Sequence, residues 1–148
     1  MNTPVAVLLS RKGGEVQTAE ISSTVADAVR LMNEHRIGCV VITDQGKLAG
    51  IFTERDVLTR VVGEGRDPQA TGVTVVMTQN PHTITPDVTI AEVMEIFTEK
   101  RCRHLPVMNG DKMDGLISIG DVSRWLTDVH RAEAEHLRQY ISGGYPTI

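Results

Sequence analysis

Two short segments of the chain place a hydroxyl residue and an aspartate at the same spacing. Thr53 stands three residues before Asp56, and Ser118 stands three residues before Asp121. In both segments the hydroxyl residue follows an apolar stretch that opens with glycine, which indicates a strand ending where a helix begins. A carboxylate at such a point accepts hydrogen bonds, and the first turn of a helix favours anions. The pattern therefore predicts either a helix cap or a site that binds a polar ligand.

Groups that would indicate catalysis or a metal site are missing from the sequence. It has no nucleophile elbow, Walker-type glycine loop or cysteine and histidine constellation. His130 and His136 lack a recognised metal-ligand spacing, so we predict no metal site. Cys39 and Cys102 have no C-x-x-C spacing and lie among apolar residues, which predicts free, buried thiols. We therefore expect a protein that is not an enzyme.

The two aspartate segments belong to a repeat with a constant offset of 65 residues. Other residues recur at the same offset: Thr18 and Thr83, Thr24 and Thr89, Ala26 and Ala91, Glu34 and Glu99, Arg36 and Arg101, Lys47 and Lys112, Gly50 and Gly115, and Val57 and Val122. Apolar character is also kept between the copies. Such an offset is the signature of a structural repeat, and two copies are too few for a solenoid. We therefore predict one unit whose two halves close on each other.

Length and composition limit the class of protein further. The 148 residues suffice for one compact unit with a core, and an aromatic content of 3% predicts a core of Val, Ile, Leu and Met. The net charge of -4, without a basic block, argues against nucleic-acid binding. Because no apolar run approaches membrane-spanning length, we expect a cytoplasmic protein without membrane contact.

Each half is predicted to contain an extended lead-in, a capped helix, two paired strands and a second helix, which is an α/β (α+β) arrangement. The predicted segments are the first repeat at 15–62, a polar, glycine-rich linker at 63–74, the second repeat at 75–126 and an amphipathic helix at 127–142. Residues 4–10 and the turn that follows them are expected to lead into the first repeat. The last helix should begin after a change of pattern at Trp125 and end at Gly143 and Gly144. We expect it to pack across the unit or against a second copy.

The repeated Gly-apolar-x-Thr/Ser-x-x-Asp junctions, in register over most of the chain, resemble those of a tandem CBS (cystathionine β-synthase) domain pair. The stretch 103–107 also looks like one common in stand-alone bacterial pairs. The resemblance implies that two repeats pack through their strands into one pseudo-twofold module. It also implies that the clefts bind AMP, ADP, ATP, NAD or S-adenosylmethionine, and that two modules form a homodimer. Since no effector domain is evident, we expect the output to pass through an unknown partner protein.

The resemblance also implies ligand roles for particular residues. Asp56 and Asp121 match the aspartates whose carboxylates accept hydrogen bonds from both ribose hydroxyls. The positions that match phosphate contacts are Thr53, Ser118, Arg103 and His104. The positions expected to form the adenine slot are Thr18, Thr83, Ile84 and Pro106. Because Gly38 and Cys39 stand in the first repeat where Arg103 and His104 stand in the second, the two sites are expected to differ.

Simpler interpretations stay open for the same residues. Thr-x-x-Asp is also a capping device, and Thr24 with Asp27 uses it elsewhere in the chain. Arg103 is as easily a structural residue, and His104 can be a packed core histidine. The alternative function is a scaffold or interaction dimer whose clefts bind no ligand. An enzyme acting on the nucleotide and a DNA-binding regulator are weaker alternatives, since neither a general base nor a basic face is evident.

Overall fold

The computed structural model describes residues 2–141, and its helices and strands follow the two predicted repeats. The helices are α1 (Val5–Lys12), α2 (Val25–His35), α3 (Glu54–Asp56), α4 (Val73–Val76), α5 (Ile90–Lys100) and α6 (Ile119–Ile141). A π-helical segment, Val57–Val62, continues α3. The strands are β1 (Thr18–Glu20), β2 (Cys39–Asp44), β3 (Lys47–Thr53), β4 (Thr78–Gln79), β5 (His104–Asn109) and β6 (Lys112–Ser118). The mixed α/β fold with two repeats is confirmed.

The strand pairing repeats at the same 65-residue offset as the sequence. The hairpin β2-β3 begins its register at Cys39 opposite Thr53, and the hairpin β5-β6 begins at His104 opposite Ser118. Each hairpin contains one register shift, after Ile42 in the first and after Val107 in the second. The β1 strand runs parallel to β2, and a single parallel bridge beside β5 takes its place in the second half. The predicted hairpins are therefore correct in their pairing.

Both faces of β2 are covered, which explains its continuous apolar run. Val40 and Ile42 point into the core of the first half, together with residues of α2 and α4. Val41 points the other way, into a cluster that also contains Leu116 and Met113 of β6. This central cluster joins the two halves, because it draws side chains from both hairpins.

The N-terminal segment forms a helix of the second half. The prediction that it leads into the first repeat is therefore wrong. Val5, Leu8 and Leu9 of α1 are buried in the same core cluster as Ile90 and Leu105. The chain before α1 is also tied to the second half, since the Ile90 amide donates to the Thr3 carbonyl at 2.9 Å. The apolar face of α1 fits there because α4, the helix that precedes α5 in sequence, packs into the first half instead.

The first half receives the corresponding helix from a segment that straddles the predicted boundary between the linker at 63–74 and the second repeat at 75–126. Val73 and Val76 of α4 are buried in the first core, and the Val25 amide donates to the Thr71 carbonyl at 2.9 Å. Each half is therefore completed by a short helix that precedes the other half in sequence. The sequence prediction divides this segment, with Val73 in the linker and Val76 in the second repeat, because four helical residues are too few to give a helical pattern.

The predicted change of structure after Trp125 is wrong, because α6 runs without a break from Ile119 to Ile141. Its first turns contribute Val122, Trp125 and Leu126 to the second core. Its last turns leave the body of the protein, and Leu137 is 58% exposed. The segment therefore does not pack across the module. The predicted helix end at Gly143 and Gly144 lies outside the described residues.

Candidate functional site

Asp121 is a buried carboxylate at the start of α6 that three groups contact. Its Oδ2 accepts hydrogen bonds from the Ser118 backbone amide at 2.8 Å and from Lys12 Nζ at 2.6 Å. Its Oδ1 accepts one from Arg124 Nη2 at 2.9 Å. The Ser118 hydroxyl in turn accepts from the Asp121 amide at 3.1 Å, which completes a capping box. The residue thus serves as a helix cap and as the centre of a cationic cluster.

The contacts of Asp121 set its protonation. Burial raises the pKa of this carboxyl, but the hydrogen bond from Lys12, the Ser118 amide and the charge of Lys12 outweigh it, so that the pKa lies below its usual value. Asp121 therefore carries a full negative charge at neutral pH. A carboxylate of this kind is an acceptor only, and suits a ligand that presents hydroxyl or amino donors.

Asp56 stands at the matching position of the first repeat and makes the same cap with different neighbours. Its Oδ2 accepts from the Thr53 amide at 2.9 Å and from the Thr53 hydroxyl at 3.1 Å. Its Oδ1 faces Arg60 Nε at 3.6 Å, which is an ion pair without a close hydrogen bond. Both aspartates are buried, at 5% and 7% exposure, so the two repeats present equivalent carboxylates in unequal surroundings.

Two adjoining clefts lie between the repeats and meet at Gly38, His104, Ser118 and Gly120. One cleft, of about 540 Å³, contains Asp121 and Lys12. The other, of about 530 Å³, contains Thr53 and Arg103. The structure therefore brings together Asp121, Ser118, His104, Thr53 and Arg103 from the predicted site residues. Asp56 is not among the residues that line either cleft.

The charged side chains that line these clefts are mostly cationic, although the chain as a whole carries a net charge of -4. The cations are Lys12, Arg36, Arg124, Arg55, Arg101 and Arg103, and the acids are Glu15, Glu54 and Asp121. A local excess of positive charge in a cleft attracts anionic ligands and favours phosphate groups. The clefts therefore combine a buried carboxylate with several candidate phosphate contacts.

His104 is half-buried where the two clefts meet. Burial lowers the pKa of its imidazole, with Lys12 and Arg103 acting in the same direction and Asp121 and Glu54 opposing them. The imidazole is therefore neutral at pH 7 and can offer a phosphate a hydrogen bond but no charge. Arg103 is exposed, and its backbone carbonyl accepts a hydrogen bond from the Ile119 amide at the start of α6.

The four predicted adenine-slot positions are not gathered in either cleft. Thr18 and Thr83 are exposed, while Ile84 and Pro106 are buried. Ile84 belongs to the core of the second half, where its amide donates to the Pro106 carbonyl at 3.0 Å. The residues that do line the Asp121 cleft from the first repeat include Val16 and Gln17, just before β1. The adenine-slot role of Thr18, Thr83, Ile84 and Pro106 stays a prediction.

Sequence reasoning missed Lys12 and Arg124 as members of the site. Lys12 lies 109 residues before Asp121, and nothing in the local pattern around it points to that carboxylate. Arg124 could have been found, because it follows Asp121 by three residues on a predicted helix and therefore lies on the same face.

Cys39 lines the Asp121 cleft but is an unreactive thiol. Burial raises its pKa to about 12, and the charge of Asp56 acts in the same direction. It is buried as predicted, whereas Cys102 is only half-buried; both are free. Within residues 2–141, no group of three or more His, Cys, Asp or Glu side chains is placed to hold a metal ion. In the same range, no helix is long and apolar enough to cross a membrane.

The chain belongs to the CBS domain family, whose sequence profile matches residues 1–63 and 73–128. It is 37% identical to the mitochondrial CBS domain-containing protein CBSX3 of Arabidopsis thaliana over 97% of this chain and 74% of that protein. The solved structure of a CBS-domain protein from Burkholderia ambifaria covers 84% of this chain and 93% of its own, with 39% identity and a TM-score of 0.81.

A second solved structure, the CBS-domain containing protein ATU1752 of Agrobacterium tumefaciens, gives 41% identity and a TM-score of 0.78 over 82% of this chain and 98% of its own. The family is thus shown by sequence and by fold. Proteins built from CBS domain pairs are generally regulatory or signal-transduction modules.

Proposed function

We propose that this protein is a regulatory sensor that binds adenosine-containing ligands, namely AMP, ADP, ATP or NAD, in the clefts between its two repeats. The observation that carries the proposal is the buried, ionised Asp121 beside a cleft of about 540 Å³ rich in cations. A carboxylate selects a vicinal diol, and the cations favour the phosphate attached to it. No reaction is needed for this role, and the protein is not an enzyme.

In the proposed complex Asp121 and Ser118 act from the start of α6, and Arg103 and His104 act from the start of β5. Asp121 accepts hydrogen bonds from the ribose hydroxyls, and Ser118 and His104 donate to the phosphate together with Arg103. We propose the same parts for Asp56 and Thr53 in the first repeat, where Thr53 lines the second cleft and Asp56, which lines neither cleft, caps the adjoining helix. The unequal neighbours of the two aspartates support sites of unequal affinity.

Ligand binding would be transmitted through the contact between the two halves and through a second copy of the chain. A ligand in these clefts touches both repeats, so it favours one packing of the halves over another. We expect a homodimer in the cytoplasm, acting on a partner protein, and size-exclusion chromatography with light scattering tests the dimer. A hexameric CBS-CP12 protein at 25% identity is a neighbour in fold that assembles further.

Isothermal titration calorimetry with AMP, ATP and NAD tests the proposal on the wild type, Asp56→Ala and Asp121→Ala. Asp27→Ala is the matched control, because Asp27 makes the same capping box on α2 but lies away from both clefts. We expect saturable binding that Asp121→Ala and Asp56→Ala each reduce at one site and that Asp27→Ala leaves unchanged. Each variant should still fold. Asp27→Ala should lose about 1 kcal/mol with its cap, and Asp121→Ala should lose more, because it also leaves Lys12 without its carboxylate.

The scaffold dimer without a ligand is the second candidate, favoured by one observation. Both aspartates already serve as capping residues, so a structural reason for them exists without any ligand. If the folded wild type binds none of the three ligands, the nucleotide proposal is rejected and this candidate replaces it.

A further inference from the structure

The Lys12 ammonium is paired with the Asp121 carboxylate, which is the group that the proposed ligand would bind. Its Nζ lies 2.6 Å from Asp121 Oδ2 and also donates to the Leu116 carbonyl at 2.6 Å. The Asp121 side chain is 6% exposed and that of Lys12 is 33% exposed, so the pair is shielded from water on one side. Water therefore screens this contact less than it screens a surface ion pair.

The hydrogen bonds to Asp121 leave too little room for a vicinal diol. A carboxylate offers about four acceptor positions, two on each oxygen. On Oδ2, the Ser118 amide and Lys12 use both. On Oδ1, Arg124 uses one. Two ribose hydroxyls that bind one on each oxygen find a free position on Oδ1 but none on Oδ2. A donor must therefore leave Oδ2, and the Ser118 amide there is part of the backbone of the helix cap.

Lys12 is the donor that can leave Oδ2, but its base is held in place. It ends α1, and the guanidinium of Arg11 stacks on the Trp125 ring at 4.6 Å, which ties the end of α1 to α6. The ammonium can therefore move only within the reach of its own flexible stem, along the same cleft. The first repeat has a different arrangement, since Asp56 meets Arg60 Nε at 3.6 Å and its contacts include no lysine.

Moving the ammonium off Asp121 has a cost that depends on the ligand. An ammonium that loses its carboxylate inside a cleft with several other cations is destabilised by those charges. A ligand phosphate replaces the lost anion within reach of the lysine stem. A neutral nucleoside does not, because it binds the carboxylate and has no anionic group for the displaced ammonium.

We propose that Lys12 is the residue that makes the Asp121 cleft select phosphorylated ligands over neutral nucleosides that carry the same diol. This inference rests on the proposed function, since it assumes that Asp121 receives a ribose. It goes beyond it by assigning the selection to α1, an element outside both aspartate segments. The Asp56 site lacks this selection.

The test compares AMP with adenosine by calorimetry in the Asp56→Ala background, so that binding reports on the Asp121 cleft. Lys12→Met removes the ammonium and keeps the stem, and we expect the ratio of adenosine to AMP dissociation constants to fall roughly tenfold. Lys47→Met is the matched control, since it makes the same substitution at an exposed lysine that lines neither cleft. This control should leave the ratio of adenosine to AMP dissociation constants unchanged. Lys12→Arg keeps a cation at the position and should keep the wild-type ratio.

An independent readout follows the Asp121 side chain itself. A titration of its carboxyl carbon by NMR, in the full chain without ligand, should give a higher midpoint in Lys12→Met than in the wild type. An unchanged midpoint would show that Lys12 does not hold the carboxylate and would overturn the inference. An unchanged ratio with intact AMP binding overturns the inference alone, whereas loss of all binding in the folded wild type overturns the proposed function with it.

Discussion

Asp56 and Asp121 occupy the same position of the two repeats, yet the side chains around them differ. The backbone hydrogen bonds are alike, since each carboxylate accepts from the amide of the hydroxyl residue three positions earlier. The neighbouring cations differ, because Lys12 contacts Asp121 whereas Arg60 faces Asp56. Identical local sequence chemistry therefore produces two different electrostatic sites.

His104 should make the stability of the protein depend on pH in the weakly acidic range. Burial lowers the pKa of the folded imidazole below 6.5, so the unfolded chain binds the proton first as the pH falls. The free energy of unfolding is therefore expected to decrease below about pH 6.5 until the folded imidazole also titrates.

Urea denaturation at several pH values measures this effect, with NMR titration of the His104 ring in the wild type. His104→Gln should flatten the profile in that window while leaving its slope below pH 4 unchanged. A His104 midpoint at or above 6.5 would contradict the interpretation.

Gly50 and Gly115 occupy matching positions, but alanine should cost more at the first. A Cβ on Gly50 would lie 2.6 Å from the Thr78 carbonyl oxygen, which is backbone of the paired strand β4. A Cβ on Gly115 would meet Leu9 Cδ2 at 2.6 Å, the end of a flexible side chain. We expect Gly50→Ala to lose about 1–3 kcal/mol by urea denaturation and Gly115→Ala to lose less. Equal losses would show that Leu9 cannot move aside.

At the scale of elements, the short helices α1 and α4 are exchanged between the halves. Each packs into the half that it does not directly precede in sequence. Helix α1 is part of the second core although it begins the chain, and α4 is part of the first core although it follows it. The exchange places Lys12, at the end of α1, beside α6. The candidate site therefore depends on a helix whose neighbours in sequence belong to the other half.

Leu8→Ala should destabilise the protein far more than Val7→Ala. Leu8 is 3% exposed within the second core, and its truncation leaves a cavity that costs about 2–5 kcal/mol. Val7 is on the same helix but 40% exposed, so its truncation should cost within about 0.5 kcal/mol. Guanidinium or urea denaturation measures both. Similar small losses would mean that α1 is not an integral part of the fold.

The helices that follow the two aspartates also differ. After Asp121, α6 is regular and places Arg124 on the carboxylate three residues later. After Asp56, the chain widens into the π-helical segment Val57–Val62, and Arg60 faces the carboxylate four residues later. Such segments are frequent at functional sites. The first repeat therefore differs from the second in helix geometry as well as in charge.

At the scale of the whole molecule, two separate cores are joined by the central cluster between the hairpins. Cys39, Val41 and Ile51 from the first half meet Met113 and Leu116 from the second. The clefts lie beside this contact, so a ligand that bridges them acts on the packing of the halves. We expect the wild type to unfold in a single cooperative transition.

Val40 and Val41 allow a matched test of that coupling, since both are fully buried on β2 and face opposite ways. Either change to alanine should cost about 1–3 kcal/mol. Only Val41→Ala should weaken the contact between the halves and lower cooperativity. Calorimetry measures this as a calorimetric enthalpy that exceeds the van't Hoff enthalpy. The same excess in Val40→Ala would show that the central cluster is not the coupling element.

The sequence by itself determined the features that depend on local pattern. The 65-residue offset, the hairpins with their turns, the capping boxes at Thr24, Thr53, Thr89 and Ser118, and the placement of both aspartates at helix starts all follow from residues near one another in the chain. Local hydrogen bonds and short apolar runs bounded by turns specify these features with little help from the rest of the molecule.

Only the tertiary structure decided which segments complete each half and which residues share a cleft. The helix of residues 5–12 has an apolar face that fits either half by pattern, and its place is set by the packing of Leu8 and Leu9 in the second core. The contact between Lys12 and Asp121 follows from that packing across 109 residues of sequence. Contacts over such distances depend on the complete fold, because the local sequence around either residue does not indicate its partner.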